Sequence, residues 1–200
     1  MGDGKVWSEE DIKDYLKANI KEERYNHVLG VVNTAETLAK LYGEDISKAR
    51  YAAFIHDVAK GKDDQELIDI AQSKGYKLCE EEKRSPQLLH GVVGAIIAKE
   101  LMEIYDKDIL NAAIYHTTGK VNMTNLEKII YVADYIEPGR AFKGVDELRQ
   151  LTFKDLNTGV LKAFDNTIKF VIDKGQVIHI RTIEARNYLL QEVCKGDMNE

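Results

Sequence analysis

Proline is scarce, with two residues in 200. No low-complexity stretch reads as a linker either, and the length suits one sizeable core. A single domain over residues 1–200 is expected. Cysteine is equally rare. Cys79 and Cys194 form no CxxC pair and support no disulfide framework, so a reducing, cytoplasmic setting is the default. No apolar run approaches the ~20 residues of a membrane span, and the first residues carry no signal-peptide core. Val6 stands where a myristoylation signal after Met1-Gly2 wants Ser or Thr. Basic excess is missing as well. A formal net charge of −6 gives no overall field for nucleic acid, and the scattered lysines read as solvated helix faces.

What remains is a chain 44% hydrophobic and 31% charged, ordinary for a soluble globular protein. Its apolar residues recur at helical spacing. Ser8 with Asp11 opens a helix over about Glu9–Ile20, and Gly43 ends the next, about Glu22–Tyr42. Further helices are predicted at about Ile46–Lys60, Asp64–Ser73, Pro86–Tyr105 and Asp108–His116. The last four run from the Thr124/Glu127 capping box to Ile136, then about Asp146–Leu151, Lys154–Lys174 and Thr182–Val193. Cys79–Lys83 reads as an acidic loop. Val177–Ile180 alternates too briefly for a sheet. The pattern is all-α, with no repeat and no βα alternation.

The chain is organised around Phe54-Ile55-His56-Asp57-Val58-Ala59-Lys60-Gly61, where an apolar stretch runs into adjacent imidazole and carboxylate groups. Burying that pair is costly without a partner, and a divalent cation accepts both. His27, His90 and His116 sit in similar apolar settings on other predicted helices, as does Asp134. One histidine on an apolar face is more often a hydrogen-bonded core residue. Six such groups are harder to bury separately, and a shared metal centre inside a helical bundle satisfies them together. HExxH, CxxC and EF-hand motifs are absent, so the ligands must converge through tertiary structure. Small residues Gly91, Gly94, Ala95 and Ala98 beside His90 allow another helix to approach closely.

His27, then His56-Asp57, then Asp134 match the H…HD…D pattern of HD-domain metal-dependent phosphohydrolases. His90 and His116 between them resemble the branch with a two-metal site. The flanking words resemble the YqeK-type bacterial HD proteins, which are symmetrical diadenosine tetraphosphate hydrolases. These words are Arg24-Tyr25-Asn26-His27, His56-Asp57-Val58-Ala59-Lys60, Leu88-Leu89-His90-Gly91, His116-Thr117-Thr118-Gly119, Asp134-Tyr135-Ile136-Glu137-Pro138-Gly139-Arg140 and His179-x-x-Thr182. The resemblance spans about residues 8–193.

It implies an HD-domain helical bundle with a metal centre in its core. Residues 22–140 would form that core, and helices over about 145–194 would complete a nucleotide pocket. His27, His56, Asp57 and Asp134 would hold one divalent cation, and His90, His116 and a bridging Asp57 a second. The family favours iron, while the donor set alone also suits manganese or zinc. A metal-bound hydroxide would attack an inner phosphorus and release two ADP, with Asp57 and Lys60 as catalytic residues. Lys60, Arg24 and Arg140 would neutralise phosphate charge. Read alone, Lys60 is equally a solvated lysine at a helix C-terminus, and the two arginines are common surface residues. Thr117 either meets phosphate or caps a helix. Val177, Ile178, His179, Ile180, Arg181 and Thr182 resemble the family's nucleotide-contacting loop, although a plain connector fits them nearly as well. His27 would touch substrate as well as metal.

The implied partner is a dinucleoside polyphosphate or an ADP- or GDP-like nucleotide, with no nucleic acid and no membrane. Oligomeric state stays open, a homodimer included. Two alternatives remain: an HD-domain nucleotidase or phosphodiesterase for another nucleotide, and a nucleotide-binding module without significant turnover.

Overall fold

The structure is a computed structural model and describes residues 6–197. Among those residues it is helical and contains no strand. The helices are α1 (Glu9–Asn19), α2 (Glu22–Tyr42), α3 (Ile46–Ile55), α4 (Asp64–Ser73), α5 (Glu80–Arg84), α6 (His90–Glu100), α7 (Lys107–Tyr115), α8 (Asn125–Ile136), α9 (Val145–Lys154), α10 (Leu156–Asp173) and α11 (Ile180–Asp197). A 3₁₀ turn over Pro86–Leu89 leads into α6. No helix among the described residues is long and apolar enough to cross a membrane.

Local chemistry sets most boundaries. Reciprocal capping boxes start α1 at Ser8/Asp11 and α8 at Thr124/Glu127. Gly43, at φ 71°, terminates α2 in a left-handed conformation. The α2 stripe of Val28, Val31, Val32, Ala35, Leu38 and Ala39 is buried, and α2 packs against α3 and α8. Helices α7 and α8 pack on each other and on α3. One apolar cluster runs from Ile12 of α1 to Leu189 of α11, and a smaller one holds Ala59, Leu67, Ala71, Leu89 and Val93.

Three expectations fail locally. Helix α3 stops at Ile55, and His56–Gly61 follow in tight turns, with Val58 N–H bonded to Ile55 and Lys60 N–H to Asp57. The HD pair thus sits just past a helix end, where i→i+3 bonding turns both side chains inward. The acidic stretch after Cys79 is a short helix, because Glu82 reaches back to accept the Cys79 N–H at 3.0 Å. The predicted helix over Pro86–Tyr105 is a 3₁₀ turn followed by α6, which ends before Glu103 takes a left-handed φ of 55°.

The small residues of α6 act as expected. A Cβ on Gly91 would lie 2.6 Å from the Ala113 carbonyl oxygen, and one on Gly94 3.0 Å from that of Ile55. Helix α6 therefore lies almost directly on the backbones of α7 and α3, which brings His90 and His116 together.

Candidate metal centre

Four imidazoles surround the Asp57 carboxylate. Its oxygens lie 3.2 Å from His90 Nε2, 3.5 Å from His56 Nε2, 3.8 Å from His27 Nε2 and 3.9 Å from His116 Nε2. Asp134 Oδ1 lies 2.9 Å from His27 Nε2. His56, Asp57, His90 and His116 are buried. The residues come from α2 (His27), the turns after α3 (His56, Asp57), the start of α6 (His90), the end of α7 (His116) and α8 (Asp134). All six ligands expected from the sequence therefore meet in one place.

The hydrogen bonds fix which nitrogens face the centre. The Nδ1 atoms of His56 and His116 lie 2.6 Å from the Ala53 and Ala113 carbonyl oxygens, and His90 Nδ1 contacts the Gln87 carbonyl. A carbonyl cannot donate, so each Nδ1 carries the proton. His27 Nδ1 lies 3.1 Å from the Glu137 carboxylate and donates to it in the same way. The four Nε2 lone pairs are left pointing inward. His90 and His116 Nε2 stand 3.0 Å apart, each without a proton to share. Buried Nε2 atoms of His27 and His56 have no hydrogen-bond partner. Such an arrangement is repulsive by itself and is satisfied by cations, and Nδ1 donation to an outer carbonyl or carboxylate is how metal-binding histidines are oriented. His27, His56 and Asp134 form one ligand group and His56, Asp57 and His116 another, each with donor atoms within 4.8 Å.

The carboxylates call for positive charge among these imidazoles: although burial opposes it, Asp57 and Asp134 raise the His56 pKa, a demand that a proton or a cation meets. Burial opposes ionisation of Asp57, yet His56 and His90 hold its carboxyl well below the usual range. Asp134 is likewise held low against burial by His27 and His56. Burial, then His90 and His56, push the His116 imidazole down to about 3, so it stays in the neutral, ligating form.

An HD-domain family model matches residues 24–139, which contain all six side chains. The chain belongs to the HD-domain family. Its HD relatives include a Bacillus subtilis protein 43% identical over 178 residues, covering 88% of this chain and 94% of that one. Another, from Halalkalibacterium halodurans, is 42% identical over 179 residues with the same two coverages. Both are named symmetrical bis(5'-nucleosyl)-tetraphosphatase. The crystal structure of an HD superfamily hydrolase from Clostridium acetobutylicum, described as involved in NAD metabolism, superposes with a TM-score of 0.92. It is 55% identical, covering 94% of this chain and 100% of that one.

The other expected site residues of the HD chain are placed as follows. Arg24 donates to Asp57 Oδ2 at 3.0 Å, and Arg140 donates to the Asp134 carbonyl at 2.8 Å and to its Oδ1 at 2.5 Å. Lys60 is partly buried and lines the groove that opens at the centre, with His116, Thr117 and Arg140. Burial lowers its ammonium pKa, and Asp57 partly restores it. Thr118 donates to the Gly119 carbonyl, whereas the buried Thr117 hydroxyl has no partner and caps nothing. Within 177–182, Val177 and Ile180 are exposed, and His179 and Thr182 are buried. The Arg181 guanidinium packs on the ring of Tyr115, next to His116, 5.6 Å from its centroid.

Both ring nitrogens of His179 meet groups outside the six-residue cluster. Its Nδ1 accepts the Arg181 N–H at 3.2 Å, so Nε2 carries the proton, 3.5 Å from Cys79 Sγ and 3.7 Å from Glu82 Oε1. Cys79, Glu82 and His179 also lie close enough to share an ion. A ligating imidazole donates from its outer nitrogen, and His179 accepts there, so these three are a hydrogen-bonded clasp. Burial raises the Glu82 carboxyl pKa, but His179, Tyr76 and the Cys79 N–H outweigh it and bring the value down to about 2. A depressed carboxyl stabilises the fold above its unfolded pKa and loses that contribution as pH falls through the folded value. Wild type should therefore exceed Glu82→Gln in unfolding free energy by up to about 3 kcal/mol at pH 7, a gap that narrows from about pH 5 to pH 2. Denaturant titrations of both proteins check it; a gap of equal size at pH 3 refutes the clasp.

Two side chains that buttress the cluster carry no legible signal of their own. Glu137 was visible only as a letter in the Asp134–Arg140 word. It is 4% exposed, orients His27, accepts the Gly139 N–H at 2.6 Å and fills space that a Cβ on Gly30 would occupy. Arg149 of α9 donates to the Ile136, Glu137 and Arg140 carbonyls, each at 2.9 Å, and so fixes the Pro138-Gly139-Arg140 turn from outside.

Proposed function

We propose that this chain hydrolyses diadenosine tetraphosphate symmetrically, giving two ADP. The observation that carries the reading is the convergence of six candidate ligands beside a groove lined by Lys60 and Arg140, with Arg24 on the Asp57 carboxylate, in a chain whose relatives bear that enzyme's name. His27, His56, Asp57 and Asp134 would hold one divalent cation, and Asp57, His90 and His116 a second. Iron is our choice; manganese and zinc suit the same donors. When bound, such a pair acidifies a water and neutralises phosphate oxygens.

The chain's own residues do the rest. Asp57 offers one carboxylate oxygen towards each side of the centre. Lys60 has an ammonium destabilised by burial, and a phosphate oxygen relieves that cost. Arg24 and Arg140 each hold a ligand carboxylate from the rim and can present remaining N–H groups to phosphate in fork geometry. Thr117 lines the same groove and its buried hydroxyl has no partner, so it caps no helix and a phosphate oxygen would satisfy it. Residues 177–182 would hold one nucleoside, with the clasp at His179 fixing their backbone.

Product analysis tests the reaction. With diadenosine tetraphosphate and iron or manganese, ADP should be the sole nucleotide product. ATP with AMP would contradict central cleavage, and tight binding without turnover would make the chain a binding module. Lys60→Ala should lower kcat by about a hundredfold, the scale of one transition-state donor, while metal content stays at the wild-type level. Loss of metal in that variant would make Lys60 structural.

A further inference from the structure

A substrate with two nucleosides cut at its midpoint needs a seat on each side of the cut. Residues 177–182 offer one. The groove at the metal centre is lined by none of residues 177–182. It measures about 720 Å³, within the range of small-molecule sites. It begins at Lys60, His116, Thr117 and Arg140, and its other lining includes Tyr135, Phe142 and Phe170.

Phe170 is 56% exposed and Phe142 37%, although both line the groove. Tyr135 and Phe142 meet edge to face, ring centroids 5.3 Å apart. Tyr135 follows the ligand Asp134 directly, so this wall is tied to the metal centre through one helix. Charge in the groove departs from that of the whole chain. Lys60, Arg140, Lys143 and Lys169 line it against two acids, Asp134 and Asp173, in a chain of net charge −6. A π-face beside cationic side chains, continuous with a phosphate-binding centre, matches a nucleoside polyphosphate.

We propose that Tyr135, Phe142 and Phe170 form the seat of the second nucleoside, with Lys143 and Lys169 against the phosphates leading to it. The inference rests on the tetraphosphatase reading and adds to it the site that makes the substrate a dinucleotide. One nucleoside would then rest against residues 177–182 and the other against the groove aromatics, with the phosphates between them near the six side chains.

The test compares diadenosine tetraphosphate with adenosine 5'-tetraphosphate, which lacks the second nucleoside. Phe142→Ala/Phe170→Ala should raise KM for the dinucleoside about 10- to 100-fold, the scale of lost base stacking. Its kcat should change little, and KM for the mononucleoside should stay within about twofold, the scatter allowed for distant, independent sites. Phe142→Trp/Phe170→Trp should restore dinucleoside affinity. Equal loss on both substrates, or no loss on either, overturns the seat. Unchanged kinetics with a change in oligomeric mass would make the aromatic face a contact between copies and also overturn it. A wild-type protein that cleaves the mononucleoside and not the dinucleoside fails the tetraphosphatase reading itself, a result separable from failure of the seat.

Discussion

Asp57→Asn is expected to lose at least about a thousandfold in kcat and most of its bound metal. Replacing an outer-shell partner of a ligand commonly costs 10- to 100-fold, and Asp57 is at the centre. Its two oxygens lie within 3.9 Å of the Nε2 atoms of four imidazoles, and Arg24 holds one of them. The amide keeps the size of the carboxylate and removes the negative charge that attracts a cation among the four imidazoles. It also replaces one acceptor oxygen by a donor NH₂. Kinetics with added metal, paired with metal analysis of the purified variant, check the expectation. A variant that turns over and retains metal like the wild type would remove Asp57 from the bridging position.

Gly91→Ala should destabilise the protein by about 2 kcal/mol, although alanine is the better helix former by roughly 1 kcal/mol. The added Cβ would sit 2.6 Å from the Ala113 carbonyl oxygen, 2.9 Å from that of Ile114 and 3.3 Å from His116 Nδ1. None of these is the far end of a flexible side chain, so α6 must move off α7. That motion separates His90 from His116, and the His116 Nδ1 bond to Ala113 lies in its path. The melting temperature should fall by several degrees for a chain of this size. Occupancy of the His90/His116 side should fall further than that of the His27/Asp134 side. A higher melting temperature would show that the two helices are not in contact at Gly91.

The six clustered side chains are legible because their chemistry clashes with their surroundings. His56-Asp57 after Phe54-Ile55, and Asp134 after Val132-Ala133, place charge where the helical period demands apolar groups. Helices with reciprocal caps, such as α1 and α8, were legible for a similarly local reason. What the sequence hid depends on tertiary geometry. Glu137 follows the last residue of a helix and precedes a proline, as ordinary surface glutamates do, and only the approach of α2 through Gly30 buries it against His27. Glu80–Lys83 has a loop's composition, yet Glu82 is buried because Tyr76 and His179 close over it. The helix expected across His56–Lys60 ends at Ile55, since the pattern of apolar residues continues through turns that the backbone makes with i→i+3 bonds. That the Thr117 hydroxyl is buried without a partner is a tertiary fact with no mark in the sequence.

Anomalous diffraction from crystals grown with iron or manganese reaches the central claim most directly. Two peaks should appear beside Asp57, one among His27, His56 and Asp134, the other beside His90 and His116, each about 2.0–2.3 Å from its ligand atoms. No peak among these six side chains, or one lying only beside Cys79, Glu82 and His179, would contradict it.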